Sequence, residues 1–139
     1  MNEFYELNRD VVTLIVRKLQ PKLCNLGLYP GQEILLNIIA NNNGLTAIEL
    51  AKLTDRKRST ITKALQSLEK NGYIEKKATN DKRKFPVYLT EKGKKLNEEV
   101  KKTVKIVFDE LEEKITEEEK IIITNLLKKI KKDLEENLW

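Results

Sequence analysis

The sequence of 139 residues contains no histidine and only one cysteine, Cys24. A single thiol without histidine supplies no common zinc or transition-metal site. The lack of histidine also removes the usual general base, and no nucleophile stands beside a substitute base. The five glycines form neither a phosphate-cradling loop nor a nucleotide-binding fingerprint. We therefore expect no metal, no cofactor and no enzymatic activity.

Long uncharged apolar runs are likewise missing from the sequence. A helix that crosses a bilayer needs about 20 consecutive apolar residues, and we find no pattern of a secretory signal. The lone Cys24 cannot form an internal disulfide and fits a reducing compartment. We therefore expect a soluble cytoplasmic protein, with Cys24 either a small buried apolar side chain or a redox-sensitive thiol.

The formal charge of +5 is unevenly distributed along the chain. Residues 46–95 contain 14 Lys and Arg against 6 Asp and Glu, a net charge of +8, whereas the remaining residues carry −3. A basic middle between slightly acidic ends indicates a module that binds a polyanion. The alternative is an ordinary solvated surface.

Two helices are predicted before the basic middle. Residues 3–20 have a broad apolar face, and Pro21 either kinks this helix or starts a new one. The stretch "PGQEILLNIIANNNG", residues 30–44, predicts a short buried helix that ends in the Asn run. The apolar face of the first helix comprises Leu7, Val11, Val12, Leu14, Ile15 and Leu19.

The basic middle begins with two more helix patterns. Thr46 and Glu49 have the spacing of a capping box at the start of a third helix. A fourth helix follows in "RKRSTITKALQSLEKNG" and ends at Gly72. Its apolar stripe is Ile61, Ala64, Leu65 and Leu68, and its opposite face carries Arg58, Ser59, Thr62, Lys63 and Gln66. Such a pair of helices fits a major groove of DNA, although a plain solvated face has the same pattern.

A charged hairpin is predicted next. The stretch from Lys76 to Lys84 contains five basic side chains and one acid, Asp81. Phe85, Val87 and Leu89 then alternate with more polar residues, which predicts a half-buried strand over residues 85–89. A strand beginning near residue 73 can pair with it, and the Asn and Asp between them favour a turn. The result is a two-stranded ribbon with a charged tip.

The C-terminal third predicts two long amphipathic helices. Thr116 and Glu119 repeat the capping-box spacing between them. The apolar stripes of these two helices present more surface than a small module can cover. We therefore favour pairing with a second copy over closure on the same chain. Leu138 and Trp139 either pack at that end or form a frayed tail. The stripes are Leu96, Val100, Val104, Val107, Leu111 and Ile115, then Ile122, Ile123, Leu126, Leu127, Ile130 and Leu134.

Together these motifs resemble the MarR family of winged helix-turn-helix transcriptional regulators. The shared pattern is Leu50-Ala51, then Ser59 to Thr62, Leu68-Glu69 before Gly72, Asp81-Lys82-Arg83, and Leu89-Thr90 with Gly93. The resemblance implies a mainly α fold with a small β-wing and long N- and C-terminal dimerisation helices. It divides the chain into a dimerisation helix (1–28), a DNA-binding module (29–90) and dimerisation helices (91–139). A homodimeric repressor of transcription is the implied function; a dimeric winged-helix scaffold that binds an acidic protein is the alternative.

The resemblance also implies a DNA-binding surface. Arg83 would enter the minor groove, with Asp81 holding the wing tip, and a carboxylate can order a guanidinium in this way before DNA arrives. The lysines near the wing, including Lys77, would contact phosphates. The residues assigned to this surface are Thr46, Arg56, Lys57, Arg58, Ser59, Thr60, Thr62, Lys63, Lys76, Asp81, Lys82, Arg83 and Lys84.

Three positions depart from the family pattern. Tyr29 stands where a capping Ser or Thr usually precedes the second helix, so that cap is expected to be lost. Arg56 replaces an aliphatic residue and is either a phosphate contact or a solvated side chain. Lys57 replaces a capping residue, so Thr54 or Asp55 is expected to cap the fourth helix.

Related proteins often bind small acids between the dimerisation helices and the winged module. The resemblance therefore predicts a small aromatic or apolar acid as effector, held by Arg17, Lys22 and Tyr29. The alternative is that Arg17 and Lys22 are merely solvated.

Overall fold

A computed structural model describes residues 1–42 and 44–137. Within these ranges it is mainly helical with one small antiparallel sheet, which confirms the predicted fold class. The expectation for Leu138 and Trp139 lies outside the described residues. The elements are α1 (Glu3–Asn25), α2 (Gln32–Asn41), α3 (Ala47–Thr54), α4 (Arg58–Lys70), β1 (Ile74–Lys76), β2 (Val87–Leu89), α5 (Glu91–Glu112) and α6 (Glu117–Asn137).

The chain divides into two compact units, Met1–Val104 and Lys105–Trp139, with the boundary inside α5. The first unit contains the core, to which α2, α3, α4 and β2 each contribute a side chain that is almost completely buried. The predicted stripe of α4 is confirmed, because Ile61, Leu65 and Leu68 are buried and Ala64 packs against them. Among the described residues, no helix is long and apolar enough to span a membrane.

Helix α1 runs through Pro21 to Asn25 as one helix and so extends beyond the predicted residues 3–20, and Pro21 does not start a new helix. The amide hydrogen that Pro21 lacks would have bonded to the carbonyl oxygen of Arg17, and this loss does not end the helix.

Cys24 is exposed in the first unit, which contradicts its reading as a buried apolar side chain. Much of the predicted apolar face is also uncovered: Leu7, Val11, Val12 and Leu14 each expose more than half of their surface.

The wing is shorter than predicted. The register pairs Ile74 with Leu89 and Lys76 with Val87, and Val87 also forms a bridge to Leu45. The strand β2 begins at Val87 rather than at Phe85, which is 49% exposed, so the predicted start of the strand was wrong. Pro86, which has no amide hydrogen to donate, separates Phe85 from the strand.

In the second unit, α5 ends at Glu112, and Ile115 therefore lies beyond the helix on which its spacing placed it. The predicted capping box is confirmed: the amide of Thr116 donates to Glu119 Oε1 at 2.9 Å, and the amide of Glu119 donates to Thr116 Oγ1 at 3.1 Å. Lys120 pairs with Glu112 at 3.0 Å, and this bond raises the pKa of Lys120 above its ordinary value of 10.5. The apolar stripe of α6 is exposed along its length: Ile122, Ile123, Leu126, Leu127, Ile130 and Leu134.

Candidate nucleic-acid interface

Helix α3 starts with the predicted Thr46 cap, with one difference in its bonding. The Thr46 Oγ1 accepts from the amide of Glu49 at 3.3 Å, as expected. The Glu49 carboxylate accepts from the Thr46 hydroxyl at 3.0 Å, rather than from the Thr46 amide as in a full capping box. Thr46 is therefore held at the start of the helix-turn-helix by two bonds to one neighbour.

The turn between α3 and α4 corrects the expectation for the cap of α4. Asp55 ends α3 in the left-handed conformation, with φ of 51°, and its amide bonds back to α3. The hydroxyl of Thr54 donates to the carbonyl oxygen of Leu50 at 2.7 Å. Neither side chain caps α4, where Lys57 holds the N-cap position without a side-chain bond. The Thr54 hydroxyl and the Asp55 backbone amide both close α3, and no capping side chain is found for the first amides of α4 among the described residues.

The exposed face of α4 presents the side chains predicted for base contacts. Arg58, Ser59, Thr60 and Lys63 are exposed, while Thr62 is half-buried. The buried stripe holds the opposite side of the helix against the core, so this face is fixed in orientation. Its polar groups are a hydroxyl-rich first turn followed by the ammonium of Lys63, a combination that can donate to base edges and phosphates.

A cleft of about 200 Å³ separates α4 from the wing and brings distant predicted residues together. It joins the start of α3, the exposed side of α4 and both arms of the wing. Three of its side chains are cations, which makes the cleft basic. Among the apolar side chains that line it, the exposed ones of Ile48 and Phe85 were not predicted there, because periodicity alone assigned apolar residues to the core. The predicted residues that line it are Thr46, Arg58, Thr62, Lys76 and Arg83.

At the wing tip, Asp81 organises the loop around Arg83. Asp81 Oδ1 accepts from the backbone amide of Arg83 at 3.0 Å and from Arg83 Nε at 3.4 Å. The hydroxyl of Thr79 donates to the carbonyl oxygens of Asp81 and Lys84, at 2.8 and 3.1 Å, which closes the turn. The guanidinium is held through a single nitrogen, rather than by a two-bond fork, and the side chain remains 91% exposed.

The remaining wing lysines separate into two groups. Lys82 and Lys84 are exposed at the tip beside Arg83, and Lys76 lies in the cleft. Lys77 instead contacts Tyr88 on the outer side of the sheet, with its ammonium 4.4 Å from the ring centroid. Lys77 therefore lies apart from the other wing lysines, with which it was expected to contact phosphates.

Arg56 packs against the junction between α1 and α2. Gly31 has φ of 92°, and a Cβ atom there would lie 2.6 Å from Arg56 Nη1, so a side chain at this position would displace the guanidinium. Arg56 also lines a cavity of about 190 Å³ together with Tyr29, Thr60 and Lys63. Arg17 and Lys22 are not among the described residues that line this cavity. Both are exposed on α1. The three predicted effector contacts are therefore not brought together here.

The first turn of α5 is tied to the end of α4, a feature that the sequence reading missed. The hydroxyl of Thr90 donates to the carbonyl oxygen of Gly72 at 2.6 Å and accepts from the amide of Gly93 at 3.1 Å. Gly93 lies so close to the carbonyl oxygen of Tyr73 that a Cβ atom would overlap it. The Leu-Thr-x-x-Gly motif thus joins the wing, α4 and α5 at one point.

The MarR family model matches residues 28–85. The chain is 30% identical to the uncharacterised HTH-type transcriptional regulator YybA of Bacillus subtilis over 112 residues, which cover 80% of this chain and 75% of that protein. It is 29% identical to the HTH-type transcriptional regulator FarR of Neisseria gonorrhoeae over 119 residues, which cover 85% of this chain and 82% of that protein.

Two solved structures extend this likeness to the whole fold. MarR from Escherichia coli in its apo form has a TM-score of 0.81 at 27% identity, covering 94% of this chain and 98% of that one. Staphylococcus aureus MarR in complex with salicylate and kanamycin has a TM-score of 0.88 at 25% identity, covering 97% and 92%. Since more than nine tenths of each chain is covered, the likeness includes the long helices outside residues 28–85.

Proposed function

Because the chain belongs to the MarR family of winged helix-turn-helix transcriptional regulators, we propose that it binds double-stranded DNA as a homodimer in the cytoplasm and represses transcription. The observation that supports this most strongly is the basic cleft. Arg58 on α4 and Lys76 and Arg83 on the wing lie around it, so the helix and the wing present cations to the same partner. A duplex offers a major groove for the helix and a minor groove for the adjacent wing.

The two elements have different parts in this proposal. Helix α4 enters the major groove, where Ser59, Thr62 and Lys63 meet base edges and phosphates. Arg83 enters the minor groove, whose potential is most negative where A·T pairs make it narrow. The bond from Asp81 limits the wing tip to fewer conformations before DNA arrives, so less entropy is lost on binding.

Exposed apolar surface supports the homodimer. Large apolar side chains on α1 and along α6 are uncovered in the single chain. Burying apolar surface is worth about 25 cal/mol per Å², so such stripes favour association. We propose that residues 1–28 and 91–139 form the dimer and that residues 29–90 form the DNA-binding module. Two identical modules would then read a pseudo-palindromic site.

We further propose that a small aromatic or apolar acid releases the protein from DNA. The S. aureus relative was solved with salicylate and kanamycin. In this chain Tyr29 offers a hydroxyl and a ring beside the cavity at Arg56, and Arg17 and Lys22, which do not line that cavity, are exposed cations on α1. The ligand must bind the DNA-free conformation more tightly, since equal affinity for both would shift nothing. A coupling of about 1–3 kcal/mol would change operator affinity roughly five- to 150-fold.

Fluorescence anisotropy with labelled duplex DNA at low salt tests the function. We expect binding that weakens steeply with salt, since each neutralised phosphate releases counterions. Replacing Thr62 or Lys63 should change the preferred bases, whereas Lys76→Ala should weaken all sequences alike and reduce the salt slope by about one unit. Failure to bind any duplex would favour the alternative of a scaffold for an acidic protein. Titrating salicylate into the protein–DNA complex tests release.

A further inference from the structure

A second concave surface lies on the outer side of the wing, which we name the outer groove. Its walls are the end of α2, the outer faces of the wing strands and the first half of α5. Side chains alternate along a strand, so Val87 lines the basic cleft while Tyr88 lines the outer groove. Its volume of about 740 Å³ falls within the range of small-molecule sites, about 300–1,000 Å³.

Asn97 in the wall of the outer groove is an unusual buried polar residue. It exposes only 3% of its surface, and its Oδ1 has no hydrogen-bond donor among the described residues. Buried polar atoms are nearly always paired, because an unpaired one loses its bonds to water without replacement. Rotation about the last side-chain bond can turn either the oxygen or the nitrogen of this amide toward the groove. In its present orientation Oδ1 is inaccessible, and after this rotation a donor group inside the groove can bond to it.

The charged side chains around Asn97 are evenly balanced. Three carboxylates and three ammonium groups line the outer groove, and each acid lies near one lysine. A ligand with a net charge would attract one member of each pair and repel the other. A zwitterion can instead offer an ammonium to a carboxylate and a carboxylate to a lysine. The pairs are Glu75 with Lys77 at 3.9 Å, Glu91 with Lys94 at 3.1 Å and Glu98 with Lys101 at 3.3 Å.

We propose that the outer groove binds a small zwitterion of the free α-amino acid class. The ligand ammonium donates to Asn97 Oδ1, and the ligand carboxylate accepts from Lys94. The ring of Tyr88, over which Lys77 already lies, forms an aromatic wall that favours cations. Among the side chains of this site, Lys77 was expected to contact DNA phosphates, but the proposed DNA contacts do not use it, so the site does not depend on the proposed function.

Isothermal titration calorimetry without DNA tests the ligand class. The probes are the standard L-amino acids, each titrated into the full-length protein. We expect saturable binding of at least one. Its methyl ester, which lacks the carboxylate charge, and its N-acetyl form, which lacks the ammonium charge, should each bind at least about tenfold more weakly, a loss of one charge-assisted bond. Absence of binding by every amino acid, or equal binding of the blocked forms, would overturn the proposal.

Two matched variants of α5 test the position of the site. Lys94 and its neighbour Lys95 are both exposed. Lys94 lines the outer groove, and Lys95 is not part of that lining. We expect Lys94→Ala to weaken amino acid binding about tenfold and Lys95→Ala to leave it unchanged. Equal effects of the two substitutions would place the ligand elsewhere on the protein.

Asn97→Leu tests the buried amide directly. Leucine has a similar size but no polar atoms, so it should remove amino acid binding without lowering the melting temperature of the free protein. Retained binding in a folded Asn97→Leu protein would contradict the proposal. If this variant does not fold, the comparison of Lys94→Ala with Lys95→Ala decides.

Discussion

The ammonium of Lys92 donates a hydrogen bond of 2.8 Å to the carbonyl oxygen of Asn71. Asn71 is the C-cap residue of α4, so a cation from the first turn of α5 lies at the negative end of that helix dipole. The same ammonium lies 4.8 Å from the centroid of the Tyr73 ring. Lys92 thus connects α5 to the end of the helix proposed to enter the major groove.

Replacing Lys92 with methionine should reduce operator affinity by more than the loss of one positive charge alone would reduce it. Lys92→Met keeps most of the aliphatic stem and removes the bond to Asn71. Lys95→Met is the control, because it removes an exposed charge from the same turn of α5. Anisotropy titrations over a range of salt concentrations should give the two variants the same salt slope but different affinities. Equal affinities would show that Lys92 acts only as a surface charge.

Gly93→Ala should destabilise the protein even though alanine is the better helix former. Gly93 lies inside α5, where replacing glycine by alanine usually stabilises by about 1 kcal/mol. Here the added Cβ would overlap the carbonyl oxygen of Tyr73, and overpacking of this kind costs roughly 1–3 kcal/mol. Urea denaturation should therefore give a lower free energy of unfolding. A more stable Gly93→Ala protein would contradict the close packing of α5 on Tyr73.

Two substitutions at the wing tip separate a positioned carboxylate from a surface acid. Asp81→Ala raises the positive charge of the wing, so charge alone predicts tighter DNA binding. Loss of its bonds to Arg83 predicts weaker binding, which is the result we expect. Arg83→Ala should weaken binding more than Lys84→Ala, since a groove contact is lost rather than a replaceable charge. Tighter binding by Asp81→Ala at every salt concentration would make Asp81 a solvated acid.

The pair of Lys120 and Glu112 predicts a change in titration. Glu112 raises the pKa of Lys120, so the pair stabilises the folded state below pH 10.5 and loses this effect as the pH rises through the folded-state pKa. Glu112→Gln should return the pKa of Lys120 toward 10.5 in an NMR titration of the lysine side chains. Glu113→Gln, a neighbouring exposed acid, is the control. A Lys120 pKa that does not respond to Glu112→Gln would contradict the pairing.

Features that depend on local spacing could be predicted from the sequence. The buried stripe of α4 and the bonds between Thr116 and Glu119 involve residues three or four positions apart, so periodicity and capping rules apply. The resemblance to the family placed Asp81 beside Arg83, and the bonds between them follow from a separation of only two residues. These elements need no knowledge of the tertiary fold.

Contacts between distant parts of the chain could not be predicted in this way. Arg56 meets Gly31, and Lys92 meets Asn71, only because separate helices are packed together. The continuation of α1 through Pro21 was left open for a related reason, since the loss of one backbone bond is compatible with either a kink or a new helix. Local rules give the tendency of a segment, and the surrounding structure can override it.

Selection of bound sequences from random duplex DNA tests the central claim most directly. We predict enrichment of a pseudo-palindrome whose half-sites lie about 10 base pairs apart, because two related helices must meet the same side of the duplex. The Lys63→Ala protein should enrich a site of the same symmetry with different preferred bases. Enrichment of a single asymmetric half-site, or of no sequence at all, would contradict recognition of DNA by a symmetric dimer through α4.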